Sequence, residues 1–240
     1  MADQLGDALG RVATGATDRE SLRRLGAAAA RSARAAGTAA VASGRWVAEA
    51  VVDAAPRIPV RDLDTLRLHH DGLDGALLAG TLIGNATRTS AAVGAAAGAL
   101  VGAQQLAPPA WVMIPLELMV ETLAVSAIEM KLVAELHEAY HRPVTGSSAD
   151  RATAIVRAWA ERRGVTAATL ARTGGLADAL GRGTRNELVR LVRRRLAARL
   201  GRNLSTLAPL LVGAVAGAEV NRRATRGLGE AVVRDLAAAS

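Results

Sequence analysis

Apolar and small residues are spaced along this chain as they are in helices, and the β-branched or aromatic runs typical of strands are missing. The pattern predicts a long helix from about Pro115 to His141. It also predicts amphipathic helices over 147–164 and 184–202, the second of them strongly basic. We therefore predict an all-α protein, folded as a compact multi-helix bundle.

The Pro-containing segment APRIPVRD at 55–62 divides the chain into two predicted regions. Residues 1–55 are Ala-rich and weakly patterned, so we expect a helical region that docks loosely. Residues 56–240 form the main helical domain, with a break near Gly72 and a separate apolar element over 89–106.

Three capping boxes predict where helices begin, and one of them, Thr184 with Glu187, is expected to open the basic helix. Thr17 with Glu20 is expected to open a helix in the N-terminal region. Ser147 with Asp150 is expected to open the helix that follows the long one.

Glycines recur four residues apart in three stretches, which places them on one face of a helix and lets a second helix approach closely. Since glycine costs about 1 kcal/mol against alanine inside a helix, this repetition needs a packing reason. The 90–103 stretch would be about 20 Å long as a helix, against about 30 Å for a bilayer core, and no segment reads as a clean transmembrane helix. We expect tight packing, with homo-oligomerisation or interfacial insertion as further uses of these faces. The glycines are Gly80, Gly84, Gly94, Gly98, Gly102, Gly213 and Gly217.

Charge is concentrated near the C-terminus. The formal net charge is +8, and residues 182–226 carry eleven arginines against Glu187 and Glu219, a local net of +9. In the 184–202 helix, Arg190, Arg193 and Arg194 face away from the apolar side. That arrangement suits an anionic membrane surface, an acidic partner or a nucleic acid backbone. Stacking aromatics, common in single-strand binding, are missing from this segment, which disfavours nucleic acid.

Cysteine is absent, which excludes disulfides, thiol catalysis and cysteine-bound zinc. The first residues show no basic or apolar signal region, so a cytoplasmic protein is expected.

The sequence HEAYH at 137–141 matches the H-E-x-x-H pattern of zinc hydrolases. In that alternative His137 and His141 bind zinc with Glu161 as the third ligand, and Glu138 acts as the base. Charged residues flank the motif, Val165 stands where such enzymes carry an acidic group, and the predicted helix stops beside His141. We therefore interpret HEAYH as a helix end and predict no metal, cofactor or catalytic residue.

A helical wheel separates Glu129 from the other charged residues of the long helix. Glu129 falls on the apolar side, where an unpaired carboxylate would cost several kcal/mol. We predict a buried structural charge pair with Arg222 or Arg223 from the last helix. The charged residues on the opposite side are Glu117, Glu121, Lys131, Glu135 and Glu138.

Residues 70–240 resemble the EcsC family, helical bacterial proteins of poorly understood function. The resemblance rests on VGAAAGALVGA, on LAVSAIEMKLVAELHEAYHRP and on APLLVGAVAGAEVNRRATRGLGEAV. The family closes its long helix with Tyr-Gly; Tyr140 matches, and His141 stands in place of the glycine. The family's namesake is encoded beside an ABC transporter, so the resemblance implies a connection to membranes.

Together these patterns predict a non-enzymatic protein on the cytoplasmic face of the membrane, peripheral or partly inserted, as an accessory to a membrane complex such as a transporter. The alternatives are a zinc hydrolase built on HEAYH and a protein that binds nucleic acid backbones.

Overall fold

The computed structural model describes residues 2–42, 45–104, 114–162 and 210–238, and all regular structure in these ranges is helical. The all-α prediction is therefore confirmed. The helices are α1 (Ala2–Ala13), α2 (Arg19–Ala36), α3 (Thr38–Ala42), α4 (Arg45–Ala54), α5 (Leu63–His69), α6 (Gly75–Gln104), α7 (Ile114–Ala139), α8 (Ser148–Arg162) and α9 (Leu210–Ala238), with a 3-10 turn at Ala55–Arg57.

Helix α7 is the centre of the bundle. Every residue from 121 to 136 is buried, because other helices cover this part of α7 on all sides. Its charged residues are buried with it. Lys131 and Glu135 lie on the side opposite Glu129, but Glu121, which the wheel assigned to that side, faces α9 as Glu129 does. Burial of these charges requires polar partners, and those partners form the sites described below.

Helices α6 and α9 form an antiparallel pair that packs on one side of α7. Ser90 meets Thr225, and Gly94 meets Gly217, so residue numbers fall along α9 as they rise along α6. The prediction of a separate element over 89–106 is wrong, since α6 continues without a break from Gly75 to Gln104.

The N-terminal helices cover the other side of α7. Leu9 of α1, Leu25 of α2 and Val47 of α4 are almost completely buried, in the same hydrophobic core as the α7 side chains. The structure therefore does not show the loose docking expected for residues 1–55. The proposed domain boundary at residue 55 stays a prediction.

Side-chain caps define two of the helix starts. Asp18 caps α2 by accepting from the Ser21 backbone N–H at 2.9 Å, so the predicted box of Thr17 and Glu20 is wrong by one residue. Ser147 and Asp150 do form a reciprocal box before α8: Asp150 accepts from the Ser147 N–H, and its own N–H donates to Ser147 Oγ. Asp18 and Ser147 serve as caps because their side-chain oxygens accept from first-turn N–H groups that have no partner within the helix.

Candidate functional site

HEAYH lies at the C-terminal end of α7. The helix ends at Ala139, and His141 has a left-handed backbone with φ of 56°. The Arg142 N–H donates to the His137 carbonyl (2.8 Å), and the His141 N–H donates to the Glu138 carbonyl (2.9 Å). This pair of bonds is a Schellman motif, whose left-handed position usually holds glycine. The interpretation of HEAYH as a helix end is confirmed.

The two histidines of HEAYH do not have the arrangement that the zinc alternative requires. H-E-x-x-H chemistry needs both histidines on one helical face, but His141 lies beyond the helix, with Nε2 3.3 Å from Asp74 Oδ2. His137 Nδ1 lies 2.8 Å from the Val133 carbonyl. Glu161 belongs to α8, but its side chain is not among those that the structure describes. Within the described ranges, no three His, Asp or Glu side chains are grouped so as to hold a metal.

Glu138, the base of the zinc alternative, instead borders a cavity of about 500 Å³ between α7, α8 and the 55–62 segment. Burial raises the pKa of its carboxyl, and the negative charge of Asp62 adds to the effect. The Leu63 N–H and Arg151 act in the opposite direction on this pKa. The arrangement places Glu138 at a helix junction.

Glu129 is completely buried, as its place on the wheel predicted. The Trp159 indole N–H donates to Oε2 at 2.9 Å, and the Thr225 hydroxyl donates to Oε1 at 3.0 Å. Ser90 Oγ lies 3.0 Å from Thr225 Oγ1, so the network joins α6, α7, α8 and α9.

The predicted pairing of Glu129 with Arg222 or Arg223 is wrong. Both arginines are exposed on α9 and form ion pairs with Glu219, at 2.6 Å and 2.5 Å. Two polar α9 residues turn toward α7: Thr225 reaches Glu129, and the Asn221 amide donates to Glu121 Oε1 at 2.6 Å. The described contacts between the last helix and these buried carboxyl groups are thus made by neutral polar side chains.

Gly94 and Gly217 lie where α6 and α9 touch through their backbones. A Cβ added to Gly94 would lie 2.5 Å from the Gly217 carbonyl oxygen, and one added to Gly217 would lie 2.6 Å from that of Gly94. Gly80 and Gly84 do not share this role, because a Cβ at either would meet no described atom of another element within 4 Å. The surroundings of Gly98, Gly102 and Gly213 lie outside the described side chains.

Uncharged segments of three helices meet at the end of the bundle beyond Gly94 and Gly217. No charged residue occurs over 89–116 or over 203–218. The C-terminal half of α6 and the N-terminal starts of α7 and α9 lie at this end, because α6 runs antiparallel to both partners. We call the described residues of these segments, 95–104, 114–116 and 210–218, the uncharged end. Val215 belongs to it and is 71% exposed.

An arginine group on α9 borders the uncharged end. Arg222, Arg223 and Arg226 are all exposed, and they lie four, five and eight residues after its last residue, Ala218. The first two donate to Glu219 and hold the pKa of that carboxyl at about 2. With Glu219 and the exposed Glu230 counted against the three arginines, this stretch of α9 keeps a net charge of +1.

A second cationic site lies in a cavity of about 290 Å³ between α1, α6, α7 and the 59–62 segment. Arg61 donates to Glu135 from Nε at 2.8 Å and from Nη2 at 3.2 Å. Lys131 pairs with the same carboxylate from one turn earlier on α7. Arg88 stands on the opposite wall, on α6. Sequence reasoning did not find this cavity, because its residues are spread over four separate segments.

Arg190, Arg193 and Arg194 lie outside the described residues, so the basic amphipathic helix over 184–202 stays a prediction. Among the described helices, none combines the length with the low charge and high hydropathy needed to cross a bilayer. No family model, curated protein or solved structure matches the chain.

Proposed function

We propose that this protein binds the surface of an anionic membrane and buries its uncharged end in the lipid. The observation that carries this proposal is the meeting of three uncharged helix segments at one end of the bundle. Other parts of the bundle expose charged side chains, among them Arg11 of α1, Arg24 of α2 and Arg88 of α6, as soluble helices do. An end without charge can leave water without the cost of desolvating ions.

The length of the end fits partial insertion. The part of α6 that belongs to this end, residues 95–104, is about 15 Å long at 1.5 Å per residue, and a bilayer core is about 30 Å thick. Contact between α6 and α9 at Gly94 and Gly217 keeps this end narrow, since no side chains separate the two backbones there.

The arginines of α9 supply the preference for anionic lipid. Each basic residue near an anionic surface contributes about 1 kcal/mol of attraction, and the contribution weakens with salt. Arg222, Arg223 and Arg226 stand next to the uncharged end, where headgroups would lie after insertion. The predicted basic face of Arg190, Arg193 and Arg194 would add to this attraction.

The resemblance to the EcsC family points in the same direction, since it implies a connection to membranes. On this proposal the protein acts without catalysis, as an accessory to a membrane complex at the cytoplasmic face. Both the partner complex and the face stay predictions from the sequence.

Vesicle flotation tests the proposal with a matched pair of variants. Val215 and Leu77 are each 71% exposed, and they lie toward opposite ends of the α6–α9 pair. Val215→Glu should reduce binding to anionic vesicles at least about tenfold, because a carboxylate in lipid costs more than 1.4 kcal/mol. Leu77→Glu makes the same change of charge and should leave binding unaltered.

A salt series separates insertion from surface attraction. Wild-type protein should bind anionic vesicles more tightly than neutral ones, and a fraction should stay bound through a high-salt wash. Equal loss of binding in both variants, or no binding by the wild type to either vesicle, would contradict the proposal.

A further inference from the structure

The cavity between α1, α6, α7 and the 59–62 segment carries more positive charge than its own carboxylate neutralises. Arg61, Lys131 and Arg88 line it together with one acidic residue, Glu135, which leaves a net charge of +2. Both oxygens of Glu135 are engaged, Oε1 by Arg61 and Lys131 and Oε2 by Arg61. We propose that this cavity binds a small anion through a phosphate group.

The donors of the cavity suit such a group. Lys131 is 94% buried at its side chain (6% exposed), and its ammonium carries three donors while Glu135 occupies one side of it. Burial lowers the pKa of Lys131, and Glu135 opposes that effect. A second anion at the ammonium would further favour the charged form.

Arg88 adds a positive charge that a structural ion pair of Glu135 would not need. A buried pair that only stabilises α7 needs one cation for its carboxylate, and Lys131 or Arg61 would suffice. Arg88 contacts Asn85 and, among the described residues, forms no ion pair with a carboxylate. Its guanidinium can therefore bind a ligand without breaking an ion pair, and a phosphate dianion matches the net charge of the cavity.

The volume sets the size of the ligand. About 290 Å³ lies at the lower end of the range for small-molecule sites. Asn85 and Thr89 add polar groups to the α6 wall, while Leu82, Ile128 and Leu132 supply apolar surface. Inorganic phosphate or a small phosphate monoester fits this description.

Titration calorimetry with inorganic phosphate tests the proposal on the full chain in the absence of lipid. Wild-type protein should bind phosphate saturably. Arg88→Gln should weaken binding by about tenfold or more, the loss expected for one charge-assisted hydrogen bond. Arg34→Gln is the matched control, since it removes an exposed arginine of α2 that donates to the Ala30 carbonyl, outside the cavity, and it should bind as wild type does.

The variant Glu135→Gln distinguishes phosphate binding from a purely structural role of the charged residues in the cavity. It leaves Arg61 and Lys131 without their carboxylate, so phosphate should bind more tightly and should raise the melting temperature of this variant more than that of wild type. The gain would be visible even if the variant is less stable without ligand.

A vesicle-binding experiment shows whether the phosphate group belongs to a lipid headgroup or to a free molecule. If the group belongs to a lipid headgroup, wild type should prefer vesicles with a phosphomonoester lipid over vesicles of equal charge without one, and Arg88→Gln should lose that preference. Saturable binding of free phosphate, or this Arg88-dependent preference, supports the proposal. The proposal is overturned if neither result is seen, or if Arg34→Gln weakens binding as much as Arg88→Gln does. These outcomes do not depend on whether the uncharged end enters lipid.

Discussion

Glu129 is the centre of a hydrogen-bond network that links helices α6, α7, α8 and α9. Its carboxylate accepts hydrogen bonds from Trp159 and Thr225 in a site from which water is excluded. Glu129→Ala should lower the free energy of unfolding by about 3 kcal/mol or more, because it leaves buried donors without an acceptor. Chemical denaturation followed by circular dichroism measures the change.

Two further variants distinguish the hydrogen bonds from the charge. Glu129→Gln keeps an acceptor oxygen and should cost less than Glu129→Ala. Glu219→Ala removes an α9 carboxylate whose ion pairs are with exposed arginines, and it should cost less than about 1 kcal/mol. A loss of similar size in Glu219→Ala and Glu129→Ala would contradict the role assigned to the buried network.

His141 occupies a position that favours glycine. With φ of 56°, its Cβ is strained against the backbone, so His141→Gly should raise stability by about 1 kcal/mol. The lost contact with Asp74 is exposed and contributes little. Thermal unfolding measures the effect.

His137→Gly is the control, because the same substitution four residues earlier falls inside α7 and should destabilise by about 1 kcal/mol. Effects of the same sign at both positions would be inconsistent with the Schellman motif.

The sequence predicted the burial of Glu129 but not its partners. Burial follows from the position of the residue on its own helix, which is local information. Trp159 lies 30 residues away and Thr225 lies 96 residues away, so only the packed fold brings them to the carboxylate. Arg222 and Arg223 were the cations predicted to reach Glu129 from the last helix, but Glu219, one turn away on α9, pairs with both.

At the scale of the helices, the contact between α6 and α9 is the closest approach described. Gly94→Ala should lower the free energy of unfolding by about 1–3 kcal/mol, since the new methyl group would overlap the Gly217 carbonyl. Gly80→Ala is the matched control in the same helix. It meets no described neighbour and should raise stability by up to about 1 kcal/mol. Equal effects in denaturant titrations of both variants would argue against the contact.

The boundaries of α7 were predictable to within two residues, whereas the continuity of α6 from Gly75 to Gln104 and the contacts between helices were not. The predicted helix over 115–141 agrees with the observed α7, Ile114–Ala139, to within two residues at each end. The agreement is close because a proline at the start and a capping turn at the end are local signals. Gly80 and Gly84 have the same spacing as Gly94 and Gly98, yet only Gly94 is shown against a partner backbone. Spacing identifies a face of a helix but not what covers that face.

At the scale of the whole molecule, the antiparallel packing of α6 against α7 and α9 produces the two features with functional consequences. It brings three uncharged segments to one end, and it places Arg88 across a cavity from Lys131 and Glu135. The sequence showed the uncharged segments separately, but their common location depends on the topology. The cavity left no local pattern, because its charged residues come from three separate segments.

Depth-sensitive labelling measures the central claim most directly. The chain has no cysteine, so Val215→Cys and Leu77→Cys each carry a single environment-sensitive fluorophore on the full-length protein. On addition of anionic vesicles, the label at Val215 should shift to a shorter emission wavelength and become accessible to lipid-borne quenchers, while the label at Leu77 should remain in water. If the Val215 label stays aqueous, or if the Leu77 label enters lipid in its place, the uncharged end is not the membrane-binding surface.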